Sequence, residues 1–186
     1  MSYSLDLFID KCRKVVKNSK CPADCVEKIT PFMHELLAGD KSFLKPEHFK
    51  SDPSQYCRNA IYIDPENTLS LFALVWLPGQ WTPIHDHGTW GVVGVLEGAI
   101  QERNYIRVDQ EKRDSLENVE LVRGGSIILT PGSVTSFVPN PDHIHITGNA
   151  TEETIVSLHL YGHAMSGFHI YDLEEGSREW IEVAHN

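Results

Sequence analysis

The fold is decided by one stretch of the sequence, Gly79-Gln-Trp-Thr-Pro-Ile-His85-Asp86-His87-Gly-Thr-Trp-Gly91-Val-Val-Gly-Val-Leu-Glu-Gly98. Alternate side chains of a strand share a face, so a strand here would point His85 and His87 the same way and Asp86 away. Two imidazoles at that spacing can bind one metal ion without bending the backbone. A lone His-x-His pair is weak evidence for a metal site, and the glycines at set distances around it make this pair informative.

The sequence around this stretch is typical of short β-strands separated by turn residues. The predicted strands are residues 58–64, 68–77, 89–96, 99–108, 119–122, 126–129 and 154–161. Prolines and glycines mark the turns, among them Gly124-Gly125. Many short strands at close spacing predict an all-β sandwich or barrel. The last stretch, residues 168–186, is too short to form a domain and is expected to pack on the barrel.

Two helices are predicted to precede the strands. Apolar residues recur at helical spacing between residues 5 and 16, with Ser4 as N-cap, and a second run follows Pro22 and ends at Gly39. Pro31 is placed to kink that second helix. We therefore expect a helical segment (1–50) packed on a barrel with a C-terminal extension (51–186), forming a single domain overall.

The glycines around the histidine pair complete a pattern that resembles the cupin superfamily. The first cupin motif runs glycine, five residues, His-x-His, three or four residues, glutamate, six residues, glycine. Gly79 and Gly98 are the outer glycines here, and Gly91 stands at the glutamate position. The resemblance implies a mainly β fold, the cupin double-stranded β-helix or jelly-roll barrel, with the N-terminal helices as an annex.

The second cupin motif is found further along, and it supplies a third histidine. It extends from Gly125 through Pro131 to His145 and Asn149, so that the resemblance covers residues 56–162. The resemblance implies that His85, His87 and His145 bind one metal ion. His143 is the substitute for His145, because both would share a face of a strand; the alternative for His143 is an exposed loop position.

The glycine at position 91 removes the carboxylate from this ligand set. Three neutral histidines leave about three positions of an octahedral ion open, which lets a chelating substrate and O₂ bind together. The ion keeps a higher net charge, and that favours anionic ligands such as a thiolate and a carboxylate. Three histidines can also hold zinc with one open position, so the residues leave the identity of the metal open.

Within the cupins, three further matches resemble the cysteine dioxygenase family, which uses one Fe(II) per chain. The first is Ser157-Leu-His159-Leu-Tyr161, whose alternation puts three polar side chains on one face of a strand. The resemblance implies a hydrogen-bonded catalytic row that ends with the Tyr161 hydroxyl beside the iron, where it helps proton transfer. The second match is Trp76, which a core position would explain equally well.

The third match is Tyr56-Cys57-Arg58-Asn59, at the entry to the first predicted strand. The resemblance implies that an arginine at this point receives the substrate carboxylate. A planar guanidinium suits that task because it can donate two parallel hydrogen bonds to one carboxylate. Tyr56 shares the face of Arg58 and can add a hydroxyl contact. A surface salt bridge is the alternative for an isolated arginine.

Two departures from the family pattern bear on the substrate. Animal enzymes carry a cysteine near position 91 that crosslinks to the tyrosine matching Tyr161, whereas the glycine here resembles bacterial members. The stretch after His87 also resembles the branch that acts on 3-mercaptopropionate. That branch usually has glutamine at position 58 and an arginine after the Ser-x-His-x-Tyr strand, but residues 167–171 contain none and the next is Arg178. Cysteine is therefore the expected substrate.

The composition excludes several other classes of function. The chain has 26 acidic and 16 basic residues and a formal charge of −10, and no basic stripe indicates nucleic acid or an anionic membrane as a partner. Cys21 and Cys25 are closely spaced, but no second pair among the four cysteines completes a zinc site. This favours free thiols in a reducing cytoplasm. We expect no secretory signal and no membrane span, a small thiol and O₂ as partners, and a monomer or weak homo-oligomer.

The expected function is oxidation of cysteine by O₂ to cysteine sulfinate at a three-histidine Fe(II) site. Three alternatives stay open at the level of the sequence. The same iron site could act on 3-mercaptopropionate or another thiol carboxylate. A zinc or manganese cupin could be an isomerase or a hydrolase. A cupin that has lost its chemistry could serve as a ligand-binding module.

Overall fold

The computed structural model describes residues 4–109, 115–139 and 143–182. Its helices are α1 (Leu5–Asn18), α2 (Pro22–Ala38) and a short 3-10 helix (Pro46–Phe49). Its strands are β1 (Cys57–Ile63), β2 (Ser70–Trp76), β3 (Gly91–Glu97), β4 (Ile100–Arg107), β5 (Leu121–Leu129), β6 (Val134–Phe137), β7 (Ile144–Gly148), β8 (Ile155–Tyr161), β9 (Gly167–Asp172) and β10 (Ser177–Glu182).

The two helices begin and end where the sequence predicts. The Ser4 hydroxyl caps α1 by accepting a hydrogen bond from the Leu7 backbone N–H at 3.3 Å. Helix α2 starts with Pro22, whose missing N–H costs nothing in the first turn, and it is assigned as one continuous helix through Pro31. No described helix has the length and apolar character needed to cross a membrane.

The helices are an annex on one sheet of the barrel. The apolar residues of α1 and α2 form one buried cluster with residues of β2, β3 and β8; it includes Phe8, Cys12, Ile29, Met33, Leu36, Leu71, Ala73, Val92 and Leu158. Burial of apolar surface stabilises a protein by about 25 cal/mol per Å². This contact therefore gives the helices stability that their own helix propensities do not supply.

Two antiparallel sheets make up the barrel. The larger has the order β1-β2-β8-β3-β6 and the smaller has the order β5-β4-β7, while β9 and β10 form a separate hairpin. A second apolar cluster lies between the sheets and contains residues of both, for example Leu74, Val93 and Ile100. This is the predicted mainly β barrel with a helical annex.

The predicted turn at Gly124-Gly125 is wrong. Strand β5 runs unbroken through both glycines, and its pairing with β4 shifts there, from Arg103 opposite Ser126 to Tyr105 opposite Arg123. One residue of β4 therefore faces two of β5, which is a β-bulge. A glycine pair accommodates a bulge as readily as a turn, and the sequence pattern does not distinguish them. Strands β6 and β7 lie in a region where no regular strand was predicted.

His85 and His87 do not lie on a regular strand. The segment 81–87 has only isolated bridges, at Trp81 and His85. Its backbone is held between two strands that are distant in sequence. On one side, His85 and His145 exchange N–H···O bonds of 2.9 and 3.0 Å. On the other, the Asp86 N–H donates to the His169 carbonyl at 3.1 Å. These contacts keep the segment extended.

Because the segment is extended, its side chains alternate as they would on a strand. The Asp86 carboxylate points away from the barrel interior and accepts hydrogen bonds from the backbone N–H and the Nδ1 of His169, both at 3.0 Å, and from the Tyr171 hydroxyl at 2.8 Å. The C-terminal hairpin is thereby fastened to the barrel, as its expected packing requires. His85 and His87 are left facing inward.

Candidate metal centre

Three imidazoles converge inside the barrel. His85 and His87 come from the segment 81–87 and His145 from β7, and each is at most 6% exposed. One potential ligand atom from each lies within 4.8 Å of the other two. The ring centroids are 4.7, 4.7 and 4.9 Å apart, so the rings form a nearly regular triangle. Such a triangle can occupy one face of an octahedral ion and leave the opposite face open.

All three imidazoles are disposed to be neutral. Burial, and next the neighbouring imidazoles, hold the pKa of His85 and His87 well below the usual value. Burial likewise lowers the pKa of His145. His85 Nδ1 lies 3.0 Å from the Pro83 carbonyl oxygen, which only accepts, so Nδ1 carries the proton and the Nε2 lone pair is free. Neutral imidazoles are the form that binds metals.

The buried ring nitrogens fit a metal ion. Among the described residues, His87 Nδ1 and His145 Nε2 are buried and lack a hydrogen-bond partner, and His145 Nδ1 has only an ion-pair contact, 3.4 Å from Glu102 Oε2. Buried polar atoms are seldom left without partners. A divalent ion at the centre of the triangle would bind one nitrogen of each ring, and three histidines are a suitable set for iron or zinc.

His143 lies beside this triangle. Its ring stacks on Phe137 with centroids 4.7 Å apart, and its Nε2 is 3.4 Å from Oε1 of Glu102. The described residues place it in a different donor group, with Glu102 and His145, and not with the other two predicted ligands. The geometry therefore favours His145 over its substitute.

Gly91 creates the space for an aromatic ring behind His87. Gly91 pairs with Phe137 across β3 and β6, and a Cβ added at Gly91 would lie 2.3 Å from the Phe137 ring. That ring stacks on His87 with centroids 4.2 Å apart. The phenyl group thus fills the region beside the residue at the cupin glutamate position. Gly91 also lies opposite Tyr161 on β8.

We predict that Gly91→Ala will destabilise the protein by about 1–3 kcal/mol, because the added methyl must displace the Phe137 ring. The displaced ring will no longer support His87, so metal affinity will fall as well. Urea unfolding of the metal-free protein and a Zn²⁺ titration measure the two effects. Gly125→Ala is the matched control, since a Cβ there meets nothing within 4 Å. Equal stabilities of the two variants would contradict the prediction.

The predicted polar row on β8 is hydrogen-bonded along its length. Trp76 Nε1 donates to Ser157 Oγ at 3.0 Å, Ser157 Oγ lies 2.8 Å from His159 Nε2, and His159 Nδ1 lies 3.1 Å from the Tyr161 hydroxyl. Trp76 is fully buried, as expected for a core residue, and its hydrogen bond also orients the row. It is therefore compatible both with a core position and with the family match.

The hydrogen bonds of this row have a definite direction. An indole N–H only donates, so Ser157 Oγ accepts from Trp76, and among the described residues His159 Nε2 is the acceptor left for the serine proton. Burial lowers the pKa of His159 to about 3, so the ring is neutral and its one proton is on Nδ1. His159 thus donates to the Tyr161 oxygen. The phenolic proton of Tyr161 is left to point into the cavity.

Arg58 and Tyr56 face the same cavity as the histidines. The Arg58 guanidinium lies over the Phe72 ring at 4.8 Å and over the Tyr161 ring at 5.8 Å. Its Nε and one terminal nitrogen, Nη2, are buried without a partner among the described residues. Tyr56 stacks on Trp76 with centroids 4.4 Å apart, and burial raises the pKa of its hydroxyl. A guanidinium with two buried, unused donors is well suited to bind an anion.

The cavity that these residues line is small. Its volume is about 30 Å³, and its wall includes residues from both sheets and from β9: Tyr56, Arg58, Trp76, His85, His87, Glu102, Phe137, His145, His159, Tyr161 and Phe168. An outer groove of about 1210 Å³ shares Tyr56, Arg58 and Phe168 with it. These three residues form the threshold between surface and interior. We call the inner cavity the chamber.

The chamber residues that were not predicted from the sequence include two that lie beside the histidines, Glu102 and Phe137. Glu102 on β4 is 6% exposed, and Phe137 lies on the unpredicted strand β6. Strand alternation could have found Glu102, because it shares the inward face with Ile100 two residues earlier. Phe137 has no comparable signal. Burial raises the pKa of Glu102, but the combined interactions with His143 and His145 outweigh it and hold the pKa well below its usual value.

Comparison with solved structures supports the fold. An uncharacterised Klebsiella pneumoniae protein with a double-stranded β-helix domain is 17% identical, with 72% of this chain and 98% of that one covered and a TM-score of 0.50. The TT1209 protein of Thermus thermophilus is 16% identical, covering 61% and 89% of the two chains with a TM-score of 0.47. A cupin sugar phosphate isomerase of Silicibacter pomeroyi is 17% identical, covering 62% and 68% with a TM-score of 0.41. The likeness to the Klebsiella protein, together with the two antiparallel sheets, confirms the predicted double-stranded β-helix.

The family follows from a match that spans most of the chain. Residues 8–174 match the family described as cysteine dioxygenase type I. The matched range includes all but the first three residues of the helical annex, both sheets and every residue that lines the chamber. The chain therefore belongs to the cysteine dioxygenase type I family.

Proposed function

We propose that the protein is a thiol dioxygenase that converts L-cysteine and O₂ to cysteine sulfinate. Both oxygen atoms go to sulfur, which loses four electrons while O₂ gains four. The observation that carries the proposal is the pairing, in one chamber, of three converging imidazoles with a guanidinium whose buried Nε and Nη2 have no partner among the described residues. One group suits a metal, and the other suits a small carboxylate.

The metal proposed for the three histidines is Fe(II), one per chain. Bound iron would supply the electron exchange between thiol and O₂ that no side chain here can perform. His85, His87 and His145 would hold it as neutral ligands. The small volume of the chamber favours a compact substrate.

Arg58 is proposed to hold the substrate carboxylate. Its planar group can donate two parallel hydrogen bonds, and Tyr56, on the same wall, can add a third from its hydroxyl. Holding the carboxylate fixes the thiol in orientation relative to the three histidines, and orientation is a large part of what a protein contributes to such a reaction. No other arginine or lysine among the described residues lines the chamber.

Tyr161 is proposed to donate its phenolic hydrogen bond to the reacting groups. Its pKa is raised to about 12, chiefly by burial, so the hydroxyl stays protonated at neutral pH. The row formed by Ser157 and His159 holds the phenol oxygen and leaves its proton available. The row therefore positions one proton donor at the chamber wall.

The choice of cysteine over 3-mercaptopropionate rests on where the arginines lie. Residues 167–171 carry none, and Arg178 donates from Nε to the Ser115 carbonyl oxygen at 3.1 Å, outside the chamber wall. Arg58 is then the carboxylate anchor, as in the branch of the family that acts on cysteine.

The test is product analysis with protein loaded anaerobically with Fe(II). O₂ uptake and sulfinate formation would be measured with cysteine, 3-mercaptopropionate and cysteamine, which lacks the carboxylate. We expect cysteine to have the highest kcat/KM and cysteamine the lowest. A preference for 3-mercaptopropionate would overturn the substrate assignment. Absence of sulfinate from every thiol would overturn the reaction itself.

A further inference from the structure

Glu102 is a buried carboxylate that the proposed reaction does not use. It lies on β4, is 6% exposed, and lines the chamber. Among the described residues its ion-pair contacts are with two histidines: Oε1 is 3.4 Å from His143 Nε2, and Oε2 is 3.4 Å from His145 Nδ1. No described lysine or arginine reaches it. A buried carboxylate held only by imidazoles requires that each imidazole present a proton to it.

That requirement fixes the arrangement of protons on His145. A neutral imidazole has one N–H, and an ionised carboxylate only accepts. With the N–H on Nδ1, facing Glu102, the lone pair is on Nε2, which has no partner among the described residues. The opposite tautomer would set a lone pair against the carboxylate and aim a proton at the other two imidazoles. The ion-pair contact at Nδ1 favours the first tautomer.

We propose that Glu102 is a positioning residue that makes His145 an Nε2 ligand and supplies the metal centre with the negative charge that Gly91 does not. This inference rests on the three-histidine site of the proposed function, but not on its thiol substrate. A carboxylate behind a metal-binding histidine fixes the ring and makes it a stronger donor. Here the carboxylate comes from β4, whereas the cupin motif places it at position 91, on β3.

The arrangement also separates the roles of the two neighbouring histidines. His143 contacts Oε1 of Glu102 and stacks on Phe137, so it supports the carboxylate without joining the triangle. His145 contacts Oε2 and lies in the triangle with His85 and His87. One carboxylate therefore distinguishes a ligand from a supporting residue two positions away in the sequence.

The first measurement uses the wild-type protein loaded with Zn²⁺, a diamagnetic probe. Long-range ¹H–¹⁵N NMR spectra of the histidine rings report which nitrogen bears the proton and which binds the metal. We expect His145 to be protonated at Nδ1 and bound through Nε2. Binding of zinc through His145 Nδ1, or no zinc on His145 at all, would overturn the proposal. This measurement requires no variant to fold.

The second measurement compares Zn²⁺ affinity in Glu102→Gln and Glu97→Gln by competition with a chelator. Loss of such a supporting carboxylate typically costs about 10- to 100-fold in metal affinity, and we expect that loss for Glu102→Gln. Glu97, exposed at the end of β3, is the matched control and should match wild type. Wild-type affinity in Glu102→Gln would overturn the proposal. Neither measurement uses a thiol or O₂, so a failure of the proposed reaction would be distinguishable.

Discussion

Replacing His85 with alanine will abolish stoichiometric metal binding and, with it, O₂ uptake. Two imidazoles remain, and they cannot hold an ion that the proposed site binds with three. The substitution leaves the backbone N–H and carbonyl that pair with His145, so the segment 81–87 keeps its main-chain support. Loss of the metal would therefore report the loss of a ligand. Elemental analysis after anaerobic Fe(II) loading and gel filtration makes the measurement.

His34→Ala is the control for this experiment, because His34 is exposed on α2 and does not line the chamber. It should bind the same amount of iron as the wild type, for which we expect about one per chain. The thermal stability of both metal-free variants should also be compared, to show that the barrel is intact. Full iron content in His85→Ala would exclude His85 as a ligand and remove the basis of the proposed site.

Replacing Arg58 with alanine will raise KM for cysteine while the iron content stays near one per chain. Removing one partner of a buried charge pair typically costs about 2 kcal/mol or more. That is a loss of about thirtyfold or more in kcat/KM. The loss should depend on the carboxylate, so the decisive comparison is between cysteine and cysteamine. Arg58→Ala should reduce the preference for cysteine over cysteamine by a similar factor.

Arg123→Ala is the matched control, because Arg123 is an exposed residue of β5 that does not line the chamber. Its kinetics should equal those of wild type. An equal loss for cysteine and cysteamine in Arg58→Ala would mean that Arg58 acts through its packing on Phe72 and Tyr161 and does not bind the carboxylate. That outcome would leave the reaction standing but remove its substrate anchor.

Much of the fold could be predicted because local signals agree with the final structure. Ser4, Pro22 and Gly39 are helix boundary residues with a direct physical reason, and all three lie at the ends of helices in the structure. The spacing of Gly79, His85 and Gly98 belongs to a pattern whose barrel was confirmed. The alternation of side chains along an extended chain was sufficient to predict that His85 and His87 face the same way, even though their segment is not a regular strand.

The parts that could not be predicted depend on contacts between distant residues. Nothing near Gly124 in the sequence says whether the chain turns or bulges, because the answer depends on its pairing with β4. Phe137 becomes part of the chamber only through its position opposite Gly91. Glu102 was overlooked because a carboxylate is stable inside a barrel only when partners lie beside it. Its partners, His143 and His145, are distant in sequence.

The fastening of Asp86 to His169 and Tyr171 makes the C-terminal hairpin thermodynamically linked to the metal centre. The segment 81–87, which provides two of the three imidazoles, is not part of a regular strand. One of the two strands that hold its backbone is β9. A fluctuation that detaches β9 therefore also frees the segment and weakens its hold on an ion. By mass action the reverse holds, so an occupied centre stabilises the hairpin in proportion to the logarithm of the free metal concentration. In metal-free protein the C-terminal hairpin, which carries Phe168 of the chamber wall, would then detach more readily than the barrel unfolds.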